Sequence, residues 1–107
     1  MFSIDLPDED PTIAALPAAA RAVIADIWAG RARSEQRSTQ IFAIVAGDLL
    51  RDGAVPEVLS LATRAVHDEA RHVELCRQVA ARYAGAPAPW PAPEPPPVPG
   101  FRGAAPE

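Results

Sequence analysis

The pattern of apolar and polar positions along the chain predicts two long helices joined by a short connection. The first covers residues 17–51, which are rich in Ala, Arg, Gln and Ile and have no proline after the first position. Gly53 suits the left-handed position that ends such a helix. Pro56 then opens a second helix that runs to about Ala84 and is closed by Gly85. Because only about four residues connect the helices, we expect them to return antiparallel as a hairpin.

The segments on either side of this predicted hairpin differ in composition. Residues 1–16 form an acidic lead-in, in which Asp10 and Pro11 suit the N-cap and first position of a short helix. Residues 86–107 hold nine of the 13 prolines, which predicts a disordered, extended tail or linker. The predicted compact part is therefore roughly residues 11–85, with the helical hairpin at residues 17–85, and a core built from about 75 residues is marginal on its own.

Charge and composition exclude several classes of function. The net charge is −4, and no basic stretch is long enough to follow a phosphate backbone, so nucleic acid is not an expected partner. The longest apolar run, residues 41–46, is far too short to cross a bilayer, so no membrane partner is expected either. The acidic N-terminus lacks the apolar run of a secretory signal, and the single cysteine cannot form an internal disulfide. These features predict a cytoplasmic protein.

The second predicted helix places ionisable side chains within its apolar stripe. At about 100° per residue, Glu69 lies in the middle of the stripe, and His72 and Cys76 share that face. His67 and Glu74 lie nearly opposite and are predicted to face solvent. The stripe within about 60° of Glu69 consists of Val58, Ala62, Ala65, Val66, His72, Val73, Cys76, Ala80 and Tyr83.

The first predicted helix gives a parallel result at Glu35. This carboxylate lies among the stripe residues Ile24, Trp28, Ala32, Ser38, Thr39, Phe42, Ala46, Leu49 and Leu50. A buried carboxylate without a partner is costly, so Glu35 must be protonated, paired with a cation such as Arg31 one turn earlier, or bound to a metal. Glu35 lies about 25 Å from the connection along its helix, and Glu69 and His72 lie about 20 and 24 Å from it. We therefore expect the three side chains to meet.

Glu35, Glu69 and His72 form a recognisable set of metal ligands. A Glu and a His at i and i+3 project from one helix face about one turn apart. Carboxylate and imidazole donors suit iron, manganese or zinc. In ferritin-like bundles with two metal ions, two helices supply one Glu each and the other two supply Glu-x-x-His each. This chain has one helix of each kind, which is half of that set.

Residues 28–85 resemble a ferritin-like domain of the kind found in bacterial proteins with an Asp-Glu-x-x-His motif. The resemblance is carried by Trp28, Glu35, Ser38, Phe42, Gly53-Ala54, Asp68-Glu69-Ala70-Arg71-His72, Leu75-Cys76 and Tyr83. It implies that Glu35, Glu69 and His72 ligate metal, with iron first and manganese or zinc as alternatives. It also implies that Asp68 holds an imidazole in place without touching the metal. Cys76 is read as a small core residue, and Tyr83 as packing.

The chain departs from that family's pattern because no second Glu-x-x-His follows residue 85. The expected fold is therefore all-α, with an antiparallel two-helix hairpin forming half of a ferritin-like four-helix bundle. A homodimer or a C-terminal partner half would complete it. Apolar stripes this broad also favour pairing, because a lone hairpin would leave them in water.

The leading functional hypothesis is a carboxylate-bridged di-iron site that handles redox chemistry with oxygen or peroxide, or iron oxidation; whether the protein is an enzyme stays open. Two alternatives remain. One is a metal-free helical interaction module, in which the polar trio forms a hydrogen-bond network. The other is an inactive half-domain that needs a partner half. Fold-level likeness supports a site better than it supports a reaction, because similar bundles perform different chemistry.

Overall fold

The computed structural model describes residues 2–93, in which all regular secondary structure is helical. Helix α1 spans Pro11–Ala14, α2 spans Ala18–Arg51 and α3 spans Pro56–Ala84. The predicted all-α class is confirmed. The two long helices have the predicted limits, except that Pro17 is the N-cap of α2 rather than its first residue.

Local sequence explains where the helices begin and end. The Asp10 carboxylate accepts a hydrogen bond from the Thr12 backbone N–H at 2.9 Å, which caps α1 as expected. Gly53 and Gly85 have φ values of 74° and 70°, a left-handed conformation that costs glycine little. The Gly85 N–H donates to the Ala81 carbonyl at 2.9 Å and closes α3.

Substituting Gly85 with Ala is expected to destabilise the chain by about 1–2 kcal/mol, because a Cβ is unfavourable in the left-handed region. The new Cβ would meet no atom within 4 Å, so the loss would report backbone strain alone. The control is Gly47→Ala near the C-terminal end of α2, which should gain up to about 1 kcal/mol from helix propensity. Urea unfolding measures both changes, and two shifts of the same sign would contradict the argument.

The two long helices pack against each other through small side chains. The buried apolar residues are Ala25 and Ala32 of α2 and Val73, Cys76 and Ala80 of α3, and Val73 is fully buried. The first turns of α2 lie beside the last turn of α3, where Ala18, Ala22, Tyr83 and Ala84 line one cavity. The small residues permit a close approach of the helices.

The N-terminal segment packs on α3. The sequence predicted only an acidic lead-in for residues 1–16 and did not predict this packing. The Phe2 ring lies 5.4 Å from the His67 ring, and Arg82 Nε donates to the Pro7 carbonyl at 2.8 Å. Between these two points the half-buried residues alternate with exposed ones, the half-buried set being Phe2, Ile4 and Leu6. This two-residue period is the signal that could have revealed an extended segment lying on a helix.

Glu74 was predicted to face solvent, and this is wrong, because its residue exposure is only 3%. Arg77 donates to both carboxylate oxygens, at 2.8 and 2.7 Å, and Gln78 donates at 2.9 Å. Arg77 Nη1 also donates to the Ala88 carbonyl, which ties the segment after α3 to the same cluster. The position of Glu74 around the helix shows that it points away from α2, but it does not show that Arg77 and the segment after α3 bury it. His67, by contrast, is exposed as predicted.

Residues 86–93 have no regular secondary structure after the turn that ends α3, and Trp90 is largely exposed. The rest of the predicted proline-rich tail, residues 94–107, lies outside the described residues. None of the described helices combines the length and apolar character that crossing a bilayer requires. The cytoplasmic location stays a prediction.

Candidate metal centre

The helix packing brings Glu35, Glu69 and His72 together. Glu35 comes from the middle of α2, and Glu69 and His72 lie one turn apart on α3. His72 Nδ1 is 3.6 Å from Glu35 Oε2 and 3.7 Å from Glu69 Oε1. One donor atom from each residue can be chosen so that all three lie within 4.8 Å of one another. The convergence predicted from helix geometry is therefore present.

The donor spacing fits a single divalent cation after small side-chain rotations. A transition-metal ion about 2.1 Å from each donor requires donor atoms no more than about 4.2 Å apart. Two of the three separations already meet this limit. Two carboxylate oxygens and one imidazole nitrogen are donors for iron, manganese or zinc. Three protein donors also leave coordination positions open for water, substrate or a further ligand.

The two carboxylates interact unfavourably when both are charged. A hydrogen bond with Glu35, burial and the Glu35 charge, in that order, raise the pKa of Glu69 above its ordinary value. The proximity of His72 opposes the shift. A cation bound between the two carboxylates would relieve this unfavourable interaction.

The trio lies at the rim of the helix seam rather than in a closed core. The exposed fractions of the side chains are 47% for His72, 32% for Glu35 and 20% for Glu69. The sequence predicted that Glu69, His72 and Cys76 face a core. Within one chain Cys76 is buried as predicted, whereas His72 is exposed. The reason is that small residues close the seam behind the trio, and no element of the described chain covers its outer side. We use the term open face for the side of the α2–α3 pair that carries Glu35 and His72.

Arg31 and Cys76 lie near the trio, and their surroundings decide whether either interacts with a metal or with Glu35. The Arg31 guanidinium lies over the Trp28 ring at 4.8 Å, and the Glu35 carboxylate lies 3.6 Å from His72 Nδ1. Burial and then the Glu35 charge raise the pKa of the Cys76 thiol. A neutral buried thiol is a poor ligand, which agrees with the predicted core role of Cys76.

Asp68 is exposed, and its carboxylate lies 3.9 Å from Arg64 Nε. Among the described residues, Arg64 is the ion-pair partner of Asp68. That Asp68 holds a metal-binding imidazole in place stays a prediction. Tyr83 lines two surface cavities near the first turns of α2 and the N-terminal segment, which agrees with a packing role.

The open face also carries large apolar side chains between the trio and the α2–α3 connection. At about 100° per residue, Phe42 lies about 20° from Glu35, and Leu61 lies about 20° from His72. Phe42 is 38% exposed, and Leu61 is 66% exposed. Val58, about 20° from Glu69, is exposed as well. Polar ligands within an exposed apolar surface are typical of a surface that another chain covers.

Comparisons with protein-family models, with curated proteins and with solved structures give no match for this chain. The convergence of Glu35, Glu69 and His72 is therefore the observation on which a functional assignment rests.

Proposed function

We propose that the chain binds a divalent transition-metal ion through Glu35, Glu69 and His72. The observation that carries this proposal is the meeting of one imidazole and two carboxylates from two helices within 4.8 Å. The raised pKa of Glu69 supports it, because a cation beside the two carboxylates would relieve the same unfavourable interaction. The exposure of His72 leaves a path for the ion to enter.

A second copy of the chain is proposed to complete the centre. The α2–α3 pair acts as an antiparallel hairpin that forms half of a ferritin-like four-helix bundle. Two copies meeting at their open faces would contribute four carboxylates and two imidazoles, the donor set of a carboxylate-bridged di-metal site. The exposed Phe42 and Leu61 side chains support this arrangement, because pairing would remove them from water.

Iron is the proposed metal, with manganese or zinc as alternatives that use the same donors. Bound iron supplies electron transfer, so the site would suit redox chemistry with oxygen or peroxide, or the oxidation of further iron. Glu35 and Glu69 would balance the charge of the ions and bridge them. His72 would fix the orientation of the set as a neutral donor.

Calorimetric titration of the metal-free chain with Mn²⁺ tests the proposal. We expect close to one ion per chain for the wild type and a loss of affinity of at least about 100-fold for His72→Ala, which removes a direct ligand. The matched control is His67→Ala, because His67 is an exposed histidine of the same helix that lies away from the trio. Equal Mn²⁺ affinities of the two variants would show that His72 is not a ligand.

Metal binding is also expected to release a proton at a pH somewhat above the ordinary pKa of a glutamate. The pKa of Glu69 is raised, so the metal-free site retains a proton to higher pH than an isolated carboxyl does. Titration at pH 5 in buffers of different ionisation enthalpy measures this release directly. An observed enthalpy that is the same in all buffers would show that no proton is displaced.

The exposed apolar side chains also favour a second candidate, a metal-free helical interaction module. Val23 and Ile27 of α2 are both more than half exposed, so the chain presents apolar surface on α2 outside the trio as well. Elemental analysis combined with mass measurement in solution separates the candidates. Stoichiometric metal supports the first, and a stable metal-free oligomer supports the second. An inactive half-domain would show neither, and its unfolding would be non-cooperative.

A further inference from the structure

The described chain covers the outer side of α3 with its own segments and leaves the open face uncovered. Phe2 contacts His67, and the Pro7 carbonyl accepts a hydrogen bond from Arg82. Ala88 accepts a hydrogen bond from Arg77 on the same helix. The open face combines exposed apolar side chains, Phe42 and Leu61, with the polar trio, so a second copy that pairs there can also contribute donors to the site.

Charge opposes this pairing as long as the site is empty. In the described part of the chain, His72 is the basic side chain close to both Glu35 and Glu69, at 3.6 and 3.7 Å. Two copies meeting at the open face would bring four carboxylates into one seam against two imidazoles. Removing such charges from water without full compensation is unfavourable and can exceed the gain from apolar contact.

We infer that the divalent cation acts as the switch for self-association: the metal-free chain stays monomeric, and metal binding permits two copies to pair at the open face. This inference rests on the proposed function. Two divalent cations would balance the four carboxylates, so the apolar contact of Phe42, Val58 and Leu61 would then act without electrostatic opposition. The three protein donors of one chain leave coordination positions that the second copy can fill.

Linkage makes the inference quantitative, because metal affinity and pairing must influence each other by the same factor. Coupling between two binding events is typically about 5- to 150-fold. We expect the dimer dissociation constant to fall by a factor in this range when metal is added. The apparent metal affinity should rise with chain concentration by a corresponding factor.

Sedimentation velocity of the full chain, in excess chelator or in saturating Mn²⁺, tests the inference, with Mn²⁺ binding measured separately by calorimetry. The expected result is a monomer in chelator and a dimer with two Mn²⁺ ions. Mn²⁺ binding with a persistent monomer, or the same dimer in both conditions, would overturn the switch and leave the proposed metal site standing. Absence of Mn²⁺ binding would overturn both.

A charge-neutral variant provides a second test that does not depend on metal. The double variant Glu35→Gln with Glu69→Gln keeps the shape of the side chains and removes both charges. It should lose metal binding and yet pair in chelator, with a dimer dissociation constant at least about fivefold lower than that of the metal-free wild type. The charge-matched control is Glu9→Gln with Glu57→Gln, two exposed positions away from the trio, which should remain monomeric in chelator. Pairing by the control, or a monomeric trio variant, would contradict the inference.

Discussion

Replacing Glu69 with Gln is expected to abolish stoichiometric metal binding and, at neutral pH, to make the metal-free chain more stable than the wild type. Metal affinity should fall by at least about 100-fold because a charged ligand is lost. Stability should rise because the variant removes the unfavourable charge beside Glu35, while the amide keeps the capacity to hydrogen-bond. For partly exposed charges the gain should be a few tenths of a kcal/mol up to about 1 kcal/mol.

The sign of the pH dependence follows from the raised pKa of Glu69. The contribution of this group to stability is fully present below the ordinary glutamate value of 4.5 and is lost as the pH rises through the folded-state value. The advantage of Glu69→Gln should therefore be present at pH 7 and absent at about pH 3.5. Urea unfolding in chelator at both pH values measures it. A variant that is less stable than the wild type at pH 7 would show that the carboxylate pair is a favourable network without metal.

Replacing Glu74 with Ala is expected to lower the free energy of unfolding by about 2–4 kcal/mol. The variant leaves Arg77 and Gln78 without the carboxylate that accepts from both. Arg77 is then no longer held in place to donate to the Ala88 carbonyl. Urea unfolding at pH 7 measures the loss. The control is Asp26→Ala on the exposed side of α2, which should change stability by no more than about 0.5 kcal/mol.

The pH dependence of this cluster has the opposite sign to that of Glu69. The Arg77 hydrogen bonds lower the pKa of Glu74, and Glu74 in turn raises the pKa of Arg77, so the two shifts agree. The stabilisation by Glu74 is present above the ordinary glutamate value and is lost as the pH falls through the folded-state value. The difference between wild type and Glu74→Gln should therefore shrink in acid. A difference that is constant from pH 7 to pH 3 would contradict the ion pair.

Helix limits and the convergence of the trio could be predicted because both depend on local geometry. Pro56, Gly53 and Gly85 mark helix ends through their own backbone preferences. The meeting of Glu35 with His72 follows from the 1.5 Å rise per residue and the nearly equal distances of both residues from the connection. No information from elsewhere in the chain is needed for either result.

The burial of Glu74 and the exposure of His72 could not be predicted in the same way. Helix angles give the direction of a side chain relative to one neighbour, and they do not show what other segments cover. Glu74 is buried because Arg77 and the segment at Ala88 close over it. His72 is exposed because no element within residues 2–93 covers the open face. Both outcomes depend on contacts between residues distant in sequence or on a second molecule.

The central claim is that Glu35, Glu69 and His72 bind one cation together. Pulsed electron paramagnetic resonance of Mn²⁺ added to the metal-free chain tests it most directly, because a coordinated imidazole nitrogen modulates the signal of the bound ion. We expect modulation by one histidine nitrogen per Mn²⁺ in the wild type and in His67→Ala, and loss of the modulation in His72→Ala. A signal of hydrated Mn²⁺ without nitrogen modulation in the folded wild-type chain would contradict the account.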